Sequence, residues 1–71
     1  MKNKVKLLDV VALTEDIPDR RLERGQVGTV VEVLAPDVYE VEFADNDGRT
    51  YAEVPVKAKK LLVLRYEPVL A

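Results

Sequence analysis

The chain has 71 residues and a mass of 8.0 kDa, which is enough for one small domain with one hydrophobic core. It carries 11 Lys and Arg residues against 13 Asp and Glu residues, for a formal net charge of −2, and it contains no His and no Cys. These counts exclude a disulfide framework, a Cys-containing zinc site and catalytic pairs of the Ser-His or Cys-His type. We therefore predict a single domain over residues 1–71 that is not an enzyme and has no cofactor and no metal site.

The charge pattern argues against a membrane segment and against a secretion signal. The longest apolar runs, residues 10–13 and 61–64, are far shorter than the ~20 residues of a transmembrane helix. The first residues are basic like the start of a signal peptide, but Asp9, Glu15 and Asp16 follow before any apolar region. The sequence therefore predicts a cytoplasmic protein.

The first half of the chain contains two apolar segments separated by a long polar connection. Period-two patterns and many β-branched residues favour strands over helices. We predict a first strand at residues 6–13 and a second strand at residues 26–34, joined by a connection that contains Pro18. Residues 35–37 then form a short turn, in which Pro36 fixes the first corner.

The second half contains the clearest strand pattern in the chain. In the third predicted strand, residues 38–43, apolar side chains alternate with glutamates, which gives an apolar inner face and an acidic outer face. After a hairpin loop, a fourth strand runs over about residues 49–54, and we expect Pro55 to end it. Residues 57–60 fit a single 3-10 turn, and residues 61–64 form the last strand.

This order of elements predicts an all-β fold, a small five-stranded SH3-like barrel. The features that favour it are a long first loop, two tight hairpins and one short 3-10 turn before the last strand. Closure into a barrel would also remove exposed sheet edges. The alternative is a five-stranded oligonucleotide/oligosaccharide-binding barrel, which usually has a longer helix between its third and fourth strands. Only a few residues join those strands here, so we prefer the SH3-like barrel.

Several segments resemble the bacterial family catalogued as domain of unknown function 4926. The segments that carry the resemblance are DVVALTEDIP (9–18), RGQVGTVVEVL (24–34), YEVEF (39–43), DGRTYA (47–52), LLVL (61–64) and YEPV (66–69). The resemblance implies no activity, because the family has none assigned. It implies an operon context, since members, often cyanobacterial, are encoded in short operons beside another small protein.

Residues 25–33 also resemble the turn-and-strand motif of the KOW domains of ribosomal and transcription-elongation proteins, which are SH3-like barrels. The content of this match is structural. Gly25 supplies a turn conformation, and Gly28 permits a close approach of strands or a bulge.

Basic residues form two candidate sites. The first is the loop with Arg20, Arg21 and Arg24, whose guanidinium groups could hold an acidic partner or phosphates. The alternative is a solvated loop in which the arginines pair with nearby acids, namely Glu15, Asp16, Asp19 or Glu23. The second candidate comprises Lys57, Lys59 and Lys60. The chain has one Phe, three Tyr and no Trp, and this argues against a base-stacking surface for nucleic acid.

Acidic residues are predicted to gather on the outer face of the central strands. They are Glu32, Glu40, Glu42 and Glu53. They could attract a basic partner or a loosely held cation, or they could simply keep a solvated face soluble. The acidic loop at residues 45–48 lacks the spacing of a calcium loop, and we interpret it as a hairpin turn.

The C-terminal segment carries more apolar surface than one strand of a small barrel needs. We expect one face of residues 61–64 to enter the core and the other face, with Leu62 and Leu64, to meet another chain, unless the tail folds back over it. Together with Tyr66, these residues are the predicted contacts of a protein partner or of a homodimer through the C-terminal strand.

The predicted function is a non-enzymatic protein-interaction module that accompanies an operon-encoded partner. An antitoxin or immunity protein is one specific form of this prediction. The alternative is a KOW-like RNA- or ribosome-binding domain, in which Arg20, Arg21 and Arg24 would contact phosphates.

Overall fold

In a computed structural model that describes residues 4–66 and residue 68, the fold consists of five antiparallel strands in one sheet. The strands are β1 (Val10–Leu13), β2 (Val27–Ala35), β3 (Val38–Ala44), β4 (Thr50–Lys57) and β5 (Leu61–Val63), in the spatial order β4-β3-β2-β1-β5. The helical elements of these residues are two 3-10 turns, Pro18–Arg20 and Ala58–Lys60. None of the described helices is long and apolar enough to cross a membrane. The all-β prediction with five strands is confirmed.

The sheet does not close into a ring. Its two edges are β4 and β5, which follow each other along the chain and are joined by the second 3-10 turn. All five strands nevertheless contribute to one hydrophobic cluster. The five strands are thus arranged around one core as predicted for a small barrel, but their sheet is open.

The first strand is shorter than predicted. β1 begins at Val10, whereas we predicted a start at residue 6. Residues 6–9 form a turn instead, in which the Asp9 carboxylate accepts a hydrogen bond of 2.8 Å from the backbone N–H of Lys6. Leu8 has a positive φ of 72° in this turn. The local hydrogen bonding of an aspartate therefore overrides the apolar pattern of the two preceding leucines.

The fourth strand is longer than predicted, and the expectation that Pro55 ends it is wrong. β4 continues to Lys57, and Pro55 lies opposite Glu40 of β3. Because β4 is an edge strand, it can place a residue without a backbone N–H on its unpaired side. The last strand ends at Val63, one residue earlier than predicted.

The inner face of the sheet is a continuous apolar surface set by the strand register. One row crosses all five strands and contains Val63, Val11, Gly28, Phe43 and Ala52. Phe43 and Val11 are fully buried in this row. Glycine is required at its centre, since an added Cβ at position 28 would lie 2.7 Å from a methyl group of Val41. The predicted role of Gly28 in a close strand approach is thus confirmed.

The long first loop covers part of this core. Leu22 is 2% exposed and belongs to the hydrophobic cluster. It forms an isolated β-bridge with Ile17, and the Ile17 N–H donates to the Leu22 carbonyl at 2.8 Å. The loop that contains the arginines is therefore anchored by one buried leucine.

Candidate functional site

The outer face of the sheet contains an apolar row at its β5 end. Ala12 of β1 lies directly opposite both Val27 of β2 and Leu62 of β5, so the three side chains form a row across the sheet, the apolar row. Leu62 is 52% exposed and Val27 is 44% exposed. Large apolar side chains that share one exposed face are typical of a contact surface for another chain.

Strand β5 also provides a free edge beside the apolar row. The Leu64 N–H donates to the Val10 carbonyl, and the Thr14 N–H donates to the Lys60 carbonyl, both at 2.9 Å. These bonds alternate along an antiparallel pair, so the polar backbone groups of Val63 point away from β1. β5 pairs with no second strand among the described residues. Such an edge can accept an added strand from a partner.

The other C-terminal candidates lie around this edge. Leu61 and Val63 pack against the core, as predicted for one face of the strand. Leu64 is half-buried, and its backbone N–H is still bonded to β1. Tyr66 is 75% exposed. The structure therefore places Leu62 in β5 and Leu64 directly after it, and it leaves Tyr66 exposed.

The opposite half of the outer face is acidic, as predicted. Glu32 lies opposite Glu40, and Glu42 lies opposite Glu53. Burial raises the pKa of the Glu40 carboxyl, and a hydrogen bond to the Glu53 side chain and the charges of Glu53 and Glu32 raise it further. The charge of Arg20 acts in the opposite direction on this pKa. Among the described residues, no group of three acidic side chains is arranged to hold a metal ion.

Arg20, Arg21 and Arg24 are exposed, and their guanidinium groups form no ion pair with another residue that the structure describes. The predicted alternative, in which the arginines form ion pairs with neighbouring acids, is not observed among the described residues. Asp16 instead accepts a hydrogen bond of 2.8 Å from the backbone N–H of Arg24. Arg21 has a positive φ of 57° and borders a shallow hollow of about 250 Å³ that also contains Leu22. The loop is thus shaped by its backbone and leaves its side chains accessible.

Two of the predicted lysines border a depression of about 880 Å³ beside the turn between β2 and β3, which we call the lysine groove. Lys57 and Lys59 form one side of it with the second 3-10 turn, and Lys4 lies on the N-terminal segment. The turn between β2 and β3 forms another side. Lys60, which we grouped with these lysines from the sequence, does not line the groove.

Sequence reasoning missed three members of these surfaces. Val27 is the first residue of β2, and only the register of β2 and β5 against β1 shows that it shares a row with Leu62, on the other side of Ala12. Lys4 and Val33 are distant in sequence from Lys57 and meet it only through the fold. The alternation along β2 indicates that its valines face both sides, but the sequence does not show which of them remain uncovered.

Comparisons with known proteins identify a family and no activity. A family model described as "Domain of unknown function (DUF4926)" matches residues 7–63, which is most of the chain. No curated protein matches the chain. No solved structure matches it either.

Proposed function

The chain belongs to the DUF4926 family, and we propose that it is a non-enzymatic protein-interaction module that binds a partner protein at the β5 end of its sheet. The observation that carries this proposal is the apolar row, in which Leu62 and Val27 are half exposed on one face beside a free strand edge. The partner would cover the row and add a strand to β5. In the proposal the module acts in the cytoplasm, beside a companion encoded in the same operon.

The energetics of the apolar row fit a modest but specific contact. Burying a whole Leu or Val side chain contributes about 1.5–3 kcal/mol, and roughly half of Leu62 and Val27 remains to be covered. The row would then contribute about 2 kcal/mol of the binding free energy. Backbone hydrogen bonds to the free edge of β5 would supply register and further affinity.

The test is a quantitative co-purification of the tagged chain from its native host, comparing two leucine variants. Leu62→Asp places a charge in the apolar row, whereas Leu34→Asp makes the same change at a residue that is 45% exposed near the other end of β2. We expect Leu62→Asp to lose the partner at least tenfold and Leu34→Asp to retain it. Equal retention by the two variants would contradict the proposal. The partner would be identified by mass spectrometry, and an antitoxin-type role would require that it be the toxic product of the neighbouring gene.

A second copy of the chain is the other partner that β5 can accept. Two β5 edges could pair across a two-fold axis, which would bring the two apolar rows together. Sedimentation velocity over a concentration series distinguishes this case, because a homodimer forms from the purified chain alone. Leu62→Asp should then shift the chain to the monomer, and Leu34→Asp should leave the dimer intact.

Binding of RNA is a second candidate function, and the exposed guanidinium groups of Arg20, Arg21 and Arg24, which form no ion pair within the described part of the chain, favour it. It predicts binding of RNA that weakens steeply as salt is raised, since each phosphate contact releases counterions. Replacing the three arginines by alanine should reduce both the affinity and the salt dependence. Absent or salt-independent binding rejects this candidate.

A further inference from the structure

The lysine groove has rigid walls. The Ala58 N–H donates to the Asp37 carbonyl at 2.8 Å, which ties the second 3-10 turn to the turn between β2 and β3. On its other side, the same 3-10 turn is bonded to Thr14, whose N–H donates to the Lys60 carbonyl. Two of the segments that line the groove are therefore already tied to each other, so a ligand would not have to order them.

The groove combines a positive rim with an apolar floor. Lys4, Lys57 and Lys59 are all exposed, and none of their ammonium groups forms an ion pair with another described residue. Among the described residues, Asp37 is the single acidic residue that lines the groove. Between these charges lie apolar side chains, and they include Val5, Val33, Val38 and Ala58. Val33 is 51% exposed, so this floor is open to solvent.

This combination points to one class of ligand. We propose that the lysine groove binds an extended acidic segment of a protein, in which apolar side chains alternate with Glu or Asp. The carboxylates would meet the three ammonium groups, and the apolar side chains would cover the valines. Nucleic acid fits less well, because Tyr39 is the one aromatic residue among the described residues of the groove, and it is only 7% exposed, so a base has no accessible ring to stack on.

This site is separate from the one in the proposed function. The apolar row lies at the β5 end of the outer face, whereas the groove is lined by the turn after β2 and by the second 3-10 turn. β2 has nine residues from Val27 to Ala35, so Val33 is about 20 Å along the strand from Val27. The second 3-10 turn runs directly into β5, but Leu62 does not line the groove, and Lys57 and Lys59 are not part of the apolar row. Each surface is therefore tested by its own variants, and each proposal can fail alone.

The experiment is a titration of the ¹⁵N-labelled full chain with a blocked octapeptide of alternating glutamate and valine, followed by NMR. We expect amide shifts at residues 37–39 and 57–59, and binding that weakens as salt is raised. The double variant Lys57→Ala with Lys59→Ala should weaken binding about fivefold, since each exposed ion pair contributes roughly 0.2–1 kcal/mol.

The control has the same net charge. It combines Lys6→Ala with Lys60→Ala, two lysines that do not line the groove, and it should bind as the wild type does. Val33→Ser tests the floor at an exposed position and should weaken the alternating peptide but not an octaglutamate. Thermal unfolding of each variant checks that the fold is kept.

Three results would overturn the proposal. The two double variants could lose affinity equally, which would leave only a general attraction between charges. Octaglutamate could bind as tightly as the alternating peptide, so that the apolar floor has no part in recognition. An octauridylate could shift the amides of the groove where the alternating peptide does not, which would make the groove a phosphate site.

Discussion

Substituting Gly28 by alanine should destabilise the protein, although most exchanges of glycine for alanine in strands do the opposite. The added Cβ would lie 2.7 Å from Cγ1 of Val41 and 2.8 Å from the backbone carbonyl oxygen of Glu42. The Val41 side chain could change its rotamer to avoid the added Cβ. The Glu42 carbonyl oxygen, however, belongs to the backbone of β3 and can move only if β2 and β3 separate. The substitution is therefore expected to weaken the pairing of β2 with β3.

The magnitude follows from known costs of overpacking. Inserting a methyl group into a well-packed core costs typically 1–3 kcal/mol. The lower entropy of the unfolded chain with alanine returns about 0.4–1 kcal/mol. A net loss of about 1–2 kcal/mol is a large part of the stability of a domain of this size, which is on the order of 3–5 kcal/mol. It would lower the Tm by about 10 °C.

The matched control is Gly48→Ala. Gly48 has no neighbouring atom within 4 Å of an added Cβ, but its φ is +81°. Its cost is therefore backbone strain of about 1 kcal/mol, which asparagine relieves because it tolerates positive φ. Thermal and urea unfolding of alanine and asparagine variants at both positions separates the two causes. Asparagine should recover stability at position 48 and lose more at position 28. A Gly28→Ala variant at or above the Tm of the wild type would refute the close approach of β2 and β3.

Three further predictions concern the acidic half, the loop anchor and the strand edge. The pKa of Glu40 is raised in the folded chain, so its ionised form destabilises the fold at pH 7. This penalty disappears as the pH falls through the raised pKa and the carboxyl group becomes protonated. Glu40→Gln should thus raise the free energy of unfolding at pH 7 by a few tenths of a kcal/mol. Urea unfolding at a series of pH values should show this gain shrinking toward pH 4. A gain that grows at low pH would contradict the prediction. Leu22→Ala should lower the free energy of unfolding, measured in urea, by about 2–4 kcal/mol. Leu7→Ala, at an exposed position, should lower it by less than about 0.5 kcal/mol. Equal losses would show that Leu22 does not anchor the loop. Hydrogen exchange should be fast at the Val63 amide and slow at Leu64, which is bonded to Val10, and the reverse order would show that the β5 edge is covered.

The sequence predicted the core face well, because alternation determines it. Tyr39, Val41 and Phe43 alternate with glutamates, and all three are buried where the pattern places them. The error at Pro55 has a physical origin, since the sequence does not show that β4 is an edge strand. A proline that would interrupt a central strand is tolerated there.

The candidate surfaces were predicted only in part, because they depend on register and on contacts between distant segments. Leu62 was predicted from its surplus apolar surface, but Val27 could be added only from the register, which places the two residues on either side of Ala12. The lysine groove likewise joins residues more than 50 positions apart in the chain, Lys4 and Lys57. Local patterns determine which face of a strand is apolar and do not determine which strands share an uncovered face.

Site-specific photo-crosslinking in cells of the native host tests the central claim most directly. A benzophenone side chain would replace Leu62 in the apolar row, and in a parallel strain it would replace Glu53 in the acidic half of the same face. The interaction module proposed here predicts one discrete crosslinked species from position 62 and none from position 53. No crosslinked species from position 62, or the same pattern from both positions, would contradict it.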